Sequence, residues 1–400
     1  MDPSSSTEFI AHPVKPSRFG AAAGGDAARL PAPPPPRLFD LNPTEEQAMT
    51  KETLAKFADE VIRPAAFEFD EKVEVPREIL NQVHELGIAH LAIAESFGGM
   101  AESRSPVSSV LVAEELSRGD MGIALAAMAP LAVVNALVDY GNGAQQGRYL
   151  PAFAGESFVP AAMALMEKKP LFDSLRLETK ARQDGDGYVI AGEKSMVPLG
   201  ETAEVFLVAA NLEGKGPRLF IVDGGTEGLE VRASRQMGLR AAGLCDLKLN
   251  DVRLSGDALL GGDDFDFNKI LAGSRIAWGA MAVGTCQAVV DYTVDYCNER
   301  IAFGEPITNR QSVAFNLADM ALELDGMRLL VYRAAGLCEQ QKDVLEQSWL
   351  VKLQCADKGM KIGTDGVQML GGHGFIREHP VERWYRHLRA IDVVEGGLLV

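Results

Sequence analysis

The chain has little of what marks a metalloprotein or an oxidised, secreted one. Among 400 residues there are six histidines and five cysteines. Cys245, Cys286, Cys297, Cys338 and Cys355 are odd in number, form no CxxC pair and lie beside no histidine pattern. That spacing argues against a disulfide framework or a metal site, and for reduced, mostly buried thiols in a reducing compartment. A cytoplasmic location is expected, with the mitochondrial matrix as the alternative. Cations are also scarce: 39 Lys and Arg face 56 Asp and Glu, a formal charge of -17. Nucleic acid and anionic membrane surfaces both need a basic face, so neither is an expected partner. No apolar run reads as long enough to span a bilayer. Ala124 to Val138 comes closest, but Pro130 and Asn135 interrupt it, and it reads as a core helix. The N-terminus is not a secretory signal. Residues 1–43 are rich in Pro, Ala, Gly and Ser with a PPPP run at Pro33 to Pro36, which predicts a disordered, partly polyproline arm.

What is present is ample apolar material, 47% of the residues at a mean hydropathy near zero. The length exceeds one ordinary core, so two or three domains are expected. Residues 44–157 read as an α-helical domain. Acids open the PTEEQ helix, apolar positions recur at Leu54, Phe57, Val61 and Ile62, and Pro76 and Gly87 bracket a second helix. Two more follow through VSSVLVAEELSRG and the alanine-rich segment to Tyr140. The texture then changes. GYVIAGEK, EVFLVAANL, RLFIVDGG, LEVRAS and CDLKLNDVRL are short, β-branched or alternating, and divided by turn residues, so residues 158–264 read as a β-barrel or sandwich. Residues 265–400 return to long helical periodicities, which imply a bundle.

The stretch Gln368 to Gly397, QMLGGHGFIREHPVERWYRHLRAIDVVEGG, stands out. Its glycines permit close backbone approach, and its Arg-rich middle reads as helix surface and interface. It closes on Glu395, between two valines and two glycines. A carboxylate in small, apolar surroundings is a candidate general base; a surface residue at a frayed terminus is the competing reading.

This α, β, α order, with ELGIAHLAIAESFGG, VAEELSRGD, DGDGYVIAGEK, the MGLR turn at Met237 to Arg240, NERIAFGEPITNRQSVAFNLADM, QMLGGHGF, PVERWYRHLR and a terminal EG, resembles the acyl-CoA dehydrogenase family of flavoenzymes over residues 43–397. The resemblance implies an α+β fold with an N-terminal α-helical domain, a middle β-barrel domain and a C-terminal four-helix bundle. It implies FAD as cofactor and an acyl-CoA or carrier-bound acyl thioester, as in fatty acid metabolism, as substrate. It also implies a homotetramer, and electron-transferring flavoprotein as acceptor. By position, Arg300 and Phe303 match residues that reach the FAD of a neighbouring subunit, and Gln311 one near its adenosine. Gln368, Gly371 and Gly372 match the glycine cluster against the pyrophosphate. Glu395 falls on the family's base, the following Gly396 on a cofactor-binding position, and Arg275 on an arginine that helps hold the acyl-CoA. Some relatives carry the base at the position of Ser274, which cannot serve here.

The flavin-ring motifs depart from the family. Where it has T-E-P-x-A-G-S-D, this chain reads Met166 to Asp173, MEKKPLFD, with Phe172 in place of a hydroxyl. Where it has W-I-T, this chain reads Met196, Val197 and Pro198. Pro198 has no amide hydrogen to offer. Three readings stay open: an FAD-dependent dehydrogenase whose methionines pack on the ring; a subunit without its own flavin that completes a relative's site in a hetero-oligomer; or a different reaction, such as elimination.

Overall fold

The computed structural model describes residues 18–19, 27–28 and 43–400; the rest of the proline-rich arm, and so its expected disorder, lies outside the described residues. The described arm residues touch the body. Arg18 makes a two-pronged ion pair with Glu204, the Phe19 ring packs on Tyr149, and the Ala28 amide donates to Gln146.

The chain enters its first domain at Thr44, which caps α1 (Glu45–Phe57) in a reciprocal capping box with Gln47. One π-helical turn, Ala58–Ile62, then leads into α2 (Arg63–Lys72). Pro64 lies at the start of α2, and a wider turn before it accommodates the missing proline N–H. Next come α3 (Arg77–Glu85), α4 (Pro106–Gly119), α5 (Met121–Tyr140) and α6 (Gly143–Phe153). Gly147 and Pro151 obscure the helical pattern of α6 in the sequence; its start is set by the Asn142 and Gln145 capping box. The core helix expected through the alanine-rich segment is α5, which runs through Pro130; only the expectation that no run is long enough to span a bilayer is corrected, since by length and apolarity alone α5 could cross a membrane. Almost all of it is buried inside the protein, so it serves as the central core helix.

The middle domain is one seven-stranded sheet: β1 (Ala161–Ala164), β2 (Lys180–Asp184), β3 (Gly187–Val197), β4 (Val205–Leu212), β5 (Gly216–Asp223), β6 (Leu229–Ala233) and β7 (Cys245–Leu254). The expected barrel is, in its ladder, a path from β6 through β7, β3, β2 and β4 to β5, with β1 parallel to β4. β4 explains the unbroken apolar run VFLVAA. Val205, Leu207 and Ala209 face a core shared with α5 and α6, while Phe206, Val208 and Ala210 face the core within the sheet domain.

Three long helices, α7 (Phe267–Glu299), α8 (Gln311–Glu339) and α9 (Leu345–Met369), pack on one another, α7 and α8 also pack on α4, and a two-stranded hairpin, β8 (Ile301–Ala302) and β9 (Glu305–Pro306), joins α7 to α8. The short α10 (Val381–Leu388) follows. Its arginines are not the surface expected of them. Arg383 and His387 are buried, and both reach Asp120, the residue that caps α5. His387 Nδ1 accepts from the Leu239 amide of the MGLR turn, so Nε2 carries the hydrogen toward Asp120. Arg386 pairs bidentately with Asp70 of α2 and donates to the Met237 carbonyl. One short helix thus bolts all three domains together.

Burial works to raise the Asp120 pKa, but the His387 N–H, Arg383 and the Ile123 amide outweigh it and hold the carboxyl below its usual range. The stabilisation is therefore complete above the ordinary carboxyl range and is lost as pH falls toward the lower folded value. Asp120→Asn keeps a cap but strands Arg383, and urea unfolding should show a loss of about 3–5 kcal/mol.

Candidate active site

Glu395 lies in an irregular segment after α10 and is buried, not frayed. Gly396 and Gly397 follow at φ 74° and 78°. Two successive left-handed residues turn the chain sharply, which side chains with a Cβ resist. A Cβ on Gly396 would also stand 2.4 Å from the Leu165 Cβ, so this glycine is needed for space as well as for angle.

Three helices hold the segment. From α7, Arg275 Nε donates to Glu395 Oε1 at 3.2 Å, and Trp278 Nε1, one turn on, donates to the Gly396 carbonyl at 2.7 Å. From α9, Lys352 Nζ donates to Glu395 Oε1 and to the Val394 carbonyl, both at 2.8 Å. From α5, Asn135 Nδ2 donates to the Leu399 carbonyl at 2.7 Å. The Arg275 guanidinium sits 3.7 Å from the ring centre of Trp349, and its Nη2 reaches Ser174 Oγ. Four buried polar atoms of these residues have no protein partner: Glu395 Oε2, Arg275 Nη1, Asn135 Oδ1 and, on the residue before Arg275, Ser274 Oγ. Buried polar atoms are normally paired, so these are available to a bound molecule.

The other expected residues lie elsewhere. Arg300 ends α7, Phe303 tips the β8–β9 turn with its ring 95% exposed, and Gln311 opens α8. A groove of about 500 Å³ runs along Ala302, Phe303, Ile307, Arg310 and Val313, with the Arg310 guanidinium over the Phe303 ring. Gln368 lies in the last turn of α9, and Gly371 and Gly372 follow with open space where a Cβ would stand. Tyr296 joins these two groups by a 2.8 Å hydrogen bond to His373, so Arg300 and the glycine cluster share one end of the bundle. Glu395 and Arg275 do not belong to it. Arg275 and Arg300 are separated by 25 residues of α7, roughly 38 Å of helix, more than one extended dinucleotide spans.

Models of the N-terminal, middle and C-terminal domains of acyl-CoA dehydrogenase match residues 44–157, 162–252 and 266–397. The chain belongs to the acyl-CoA dehydrogenase family. It is 30% identical over 363 residues to the short/branched chain specific acyl-CoA dehydrogenase, mitochondrial, of Bos taurus, covering 88% of this chain and 83% of the relative. To the cyclohex-1-ene-1-carbonyl-CoA dehydrogenase of Geobacter metallireducens it is 32% identical, covering 88% and 95%. The structure of butyryl-CoA dehydrogenase from Megasphaera elsdenii superposes with a TM-score of 0.82 at 28% identity, over 90% of this chain and 96% of that one. The acyl-CoA dehydrogenases are flavin-dependent oxidoreductases, and FAD is their cofactor.

This acyl-CoA dehydrogenase offers two different surfaces to the two ends of that cofactor. The adenosine and phosphate end suits the exposed Phe303 ring, the nearby guanidinium groups and the uncovered Gly371 and Gly372 as they stand. The surface where the ring motifs depart is an apolar face around Met166 and Pro198, both buried, with Met196 beside them. Gly396 lies directly on Leu165 there, and a Cβ on Gly397 would be 3.9 Å from Pro198. A ring seated on that face would need residues 396–398 to lift away. Adding FAD to the flavin-free protein should therefore speed backbone hydrogen exchange in residues 396–400; unchanged exchange with bound flavin would show that the ring enters elsewhere.

Residues not read from the sequence are Lys352, Trp278, Trp349, Asn135 and Ser174. The one available signal was spacing: Trp349 and Lys352, like Arg275 and Trp278, stand three residues apart on a helix and so share a face.

Proposed function

We propose that the chain dehydrogenates an acyl thioester between Cα and Cβ, with Glu395 as the base. The observation that carries this reading is the asymmetry of the carboxylate. Oε1 is held by two cations, and Oε2 is buried, unpartnered and free to take a proton. The unpartnered Nη1 of Arg275 is the donor left for an acceptor on the substrate. As Oε2 accepts the α-proton, negative charge develops on the thioester oxygen, and the β-carbon releases a hydride. FAD supplies the acceptor for that hydride when bound. The apolar enclosure by Trp278, Leu398 and Met166 keeps water from competing for the proton. Electron-transferring flavoprotein is the proposed final acceptor, following the family likeness. Five unpaired cysteines fit a reducing compartment, cytoplasmic or, as for the bovine relative, mitochondrial.

The cofactor site is proposed to be built across subunits, with Arg300, Phe303, Gln311, Gln368, Gly371 and Gly372 serving a flavin whose ring lies in a second copy. The distance along α7 supports this. So does an uncovered apolar stripe on α8, Phe315, Leu322 and Leu329, repeating every seventh residue, the spacing of helix-to-helix seams. A homotetramer is the proposed assembly. A second reading, a subunit that completes a relative's site without holding a flavin ring itself, is favoured by the close packing of Gly396 on Leu165.

The purified protein should be yellow, with flavin near one per chain. A colourless protein that takes up no added FAD favours the second reading. Glu395→Gln should keep the colour and lose bleaching by acyl-CoA by at least about 10²-fold; undiminished bleaching places the base elsewhere. Co-expression of Glu395→Gln with Arg300→Ala chains should restore part of the activity that each lacks alone, because mixed assemblies contain one site with an intact base and an intact clamp. No restoration would place both residues in one chain's site.

A further inference from the structure

Glu395 is met by two cations, and they do different things. Arg275 reaches Oε1 through Nε alone, at 3.2 Å, and leaves Nη1 unpartnered. Lys352 spends its ammonium on the local conformation: at 2.8 Å it grips Oε1, and at 2.8 Å it also grips the carbonyl of Val394, the peptide that leads into the glutamate. Its side chain is 13% exposed, so this is an enclosed, charge-assisted contact and not a solvated surface pair. One group thereby fixes both the backbone before Glu395 and the rotation of its carboxylate.

We infer that Lys352 is a positioning residue for the base: it claims Glu395 Oε1 and so leaves Oε2 as the oxygen that meets the α-proton. The inference rests on the dehydrogenase reading and goes beyond it by assigning a role to a residue that no sequence motif marked. Among the described residues, the ionised groups hydrogen-bonded to the Glu395 carboxylate are Arg275 from α7 and Lys352 from α9; Ser174 and Trp349 approach only Arg275. With Lys352 removed, the carboxylate keeps only the longer of its two tethers and can rotate. A misplacement of about 1 Å at a reacting group costs on the order of 10²-fold in rate.

The test compares Lys352→Met, which keeps the stem without the charge, with Lys352→Arg, which restores a cation. Bleaching of the bound flavin by acyl-CoA is followed alongside thioester affinity by calorimetry and thermal midpoint. Lys352→Met should bleach on the order of 10²-fold more slowly. Thioester affinity and thermal midpoint should stay near wild type, and Lys352→Arg should recover most of the rate. A wild-type rate in Lys352→Met would overturn the inference. So would equal impairment of both variants with a lowered midpoint, which is the pattern of a purely structural lysine. A second readout needs no flavin: a carbodiimide should join Lys352 to Glu395 directly in the flavin-free protein, seen as one linked peptide pair by mass spectrometry. If wild-type protein shows no bleaching at all, the dehydrogenase reading fails, while the cross-link still decides whether Lys352 holds Glu395; no cross-link overturns the inference in either case.

Discussion

The short segment from Val394 to Leu399 has no regular structure of its own, and everything proposed for this protein depends on how it is held. Backbone carbonyls at Val394, Gly396 and Leu399 accept from Lys352, Trp278 and Asn135, each on a different helix. An irregular strand of chain buried in apolar surroundings leaves polar groups to be satisfied. Here those hydrogen bonds also fix Glu395, the carboxylate proposed as the base. The helical domains can be seen as a frame that brings α5, α7 and α9 to one point, with α10 and its buried ion pairs setting the frame's angles.

The fold was legible because it is written in periodicities. Long apolar repeats marked α7, α8 and α9, and β-branched alternation marked β3 to β7. Reading failed where local chemistry conflicts with tertiary context. Pro130 interrupts the apolar run that would mark a membrane span, yet the helix buried on all sides keeps its course because the packing outweighs one lost hydrogen bond. α10 looked like charged surface, because nothing in RWYRHL says that Asp70 and Asp120, more than 250 residues earlier, will neutralise it.

The site was legible only in part. Glu395 and Arg275 were found through motif likeness, and the structure brings them within 3.2 Å. Lys352 could not be found that way: a lone lysine in a helix is ordinary, and its significance comes from standing three residues after Trp349, on the face turned toward Arg275. The ring-side departures at Met166, Met196 and Pro198 were plain in the sequence. Their consequence was not, because it lies in the contact of Leu165 and Pro198 with two glycines some two hundred residues away.

The length of α7 separates Arg275, which touches Glu395, from Arg300 by roughly 38 Å of helix. With the cofactor site proposed across subunits, a single chain would hold no complete active site, and the site would be a product of concentration. Cofactor and assembly then become linked ligands, each raising the apparent affinity of the other by mass action. Dilution would release flavin as surely as heat does, and a single defective chain would disable a site in its neighbour as well as one of its own.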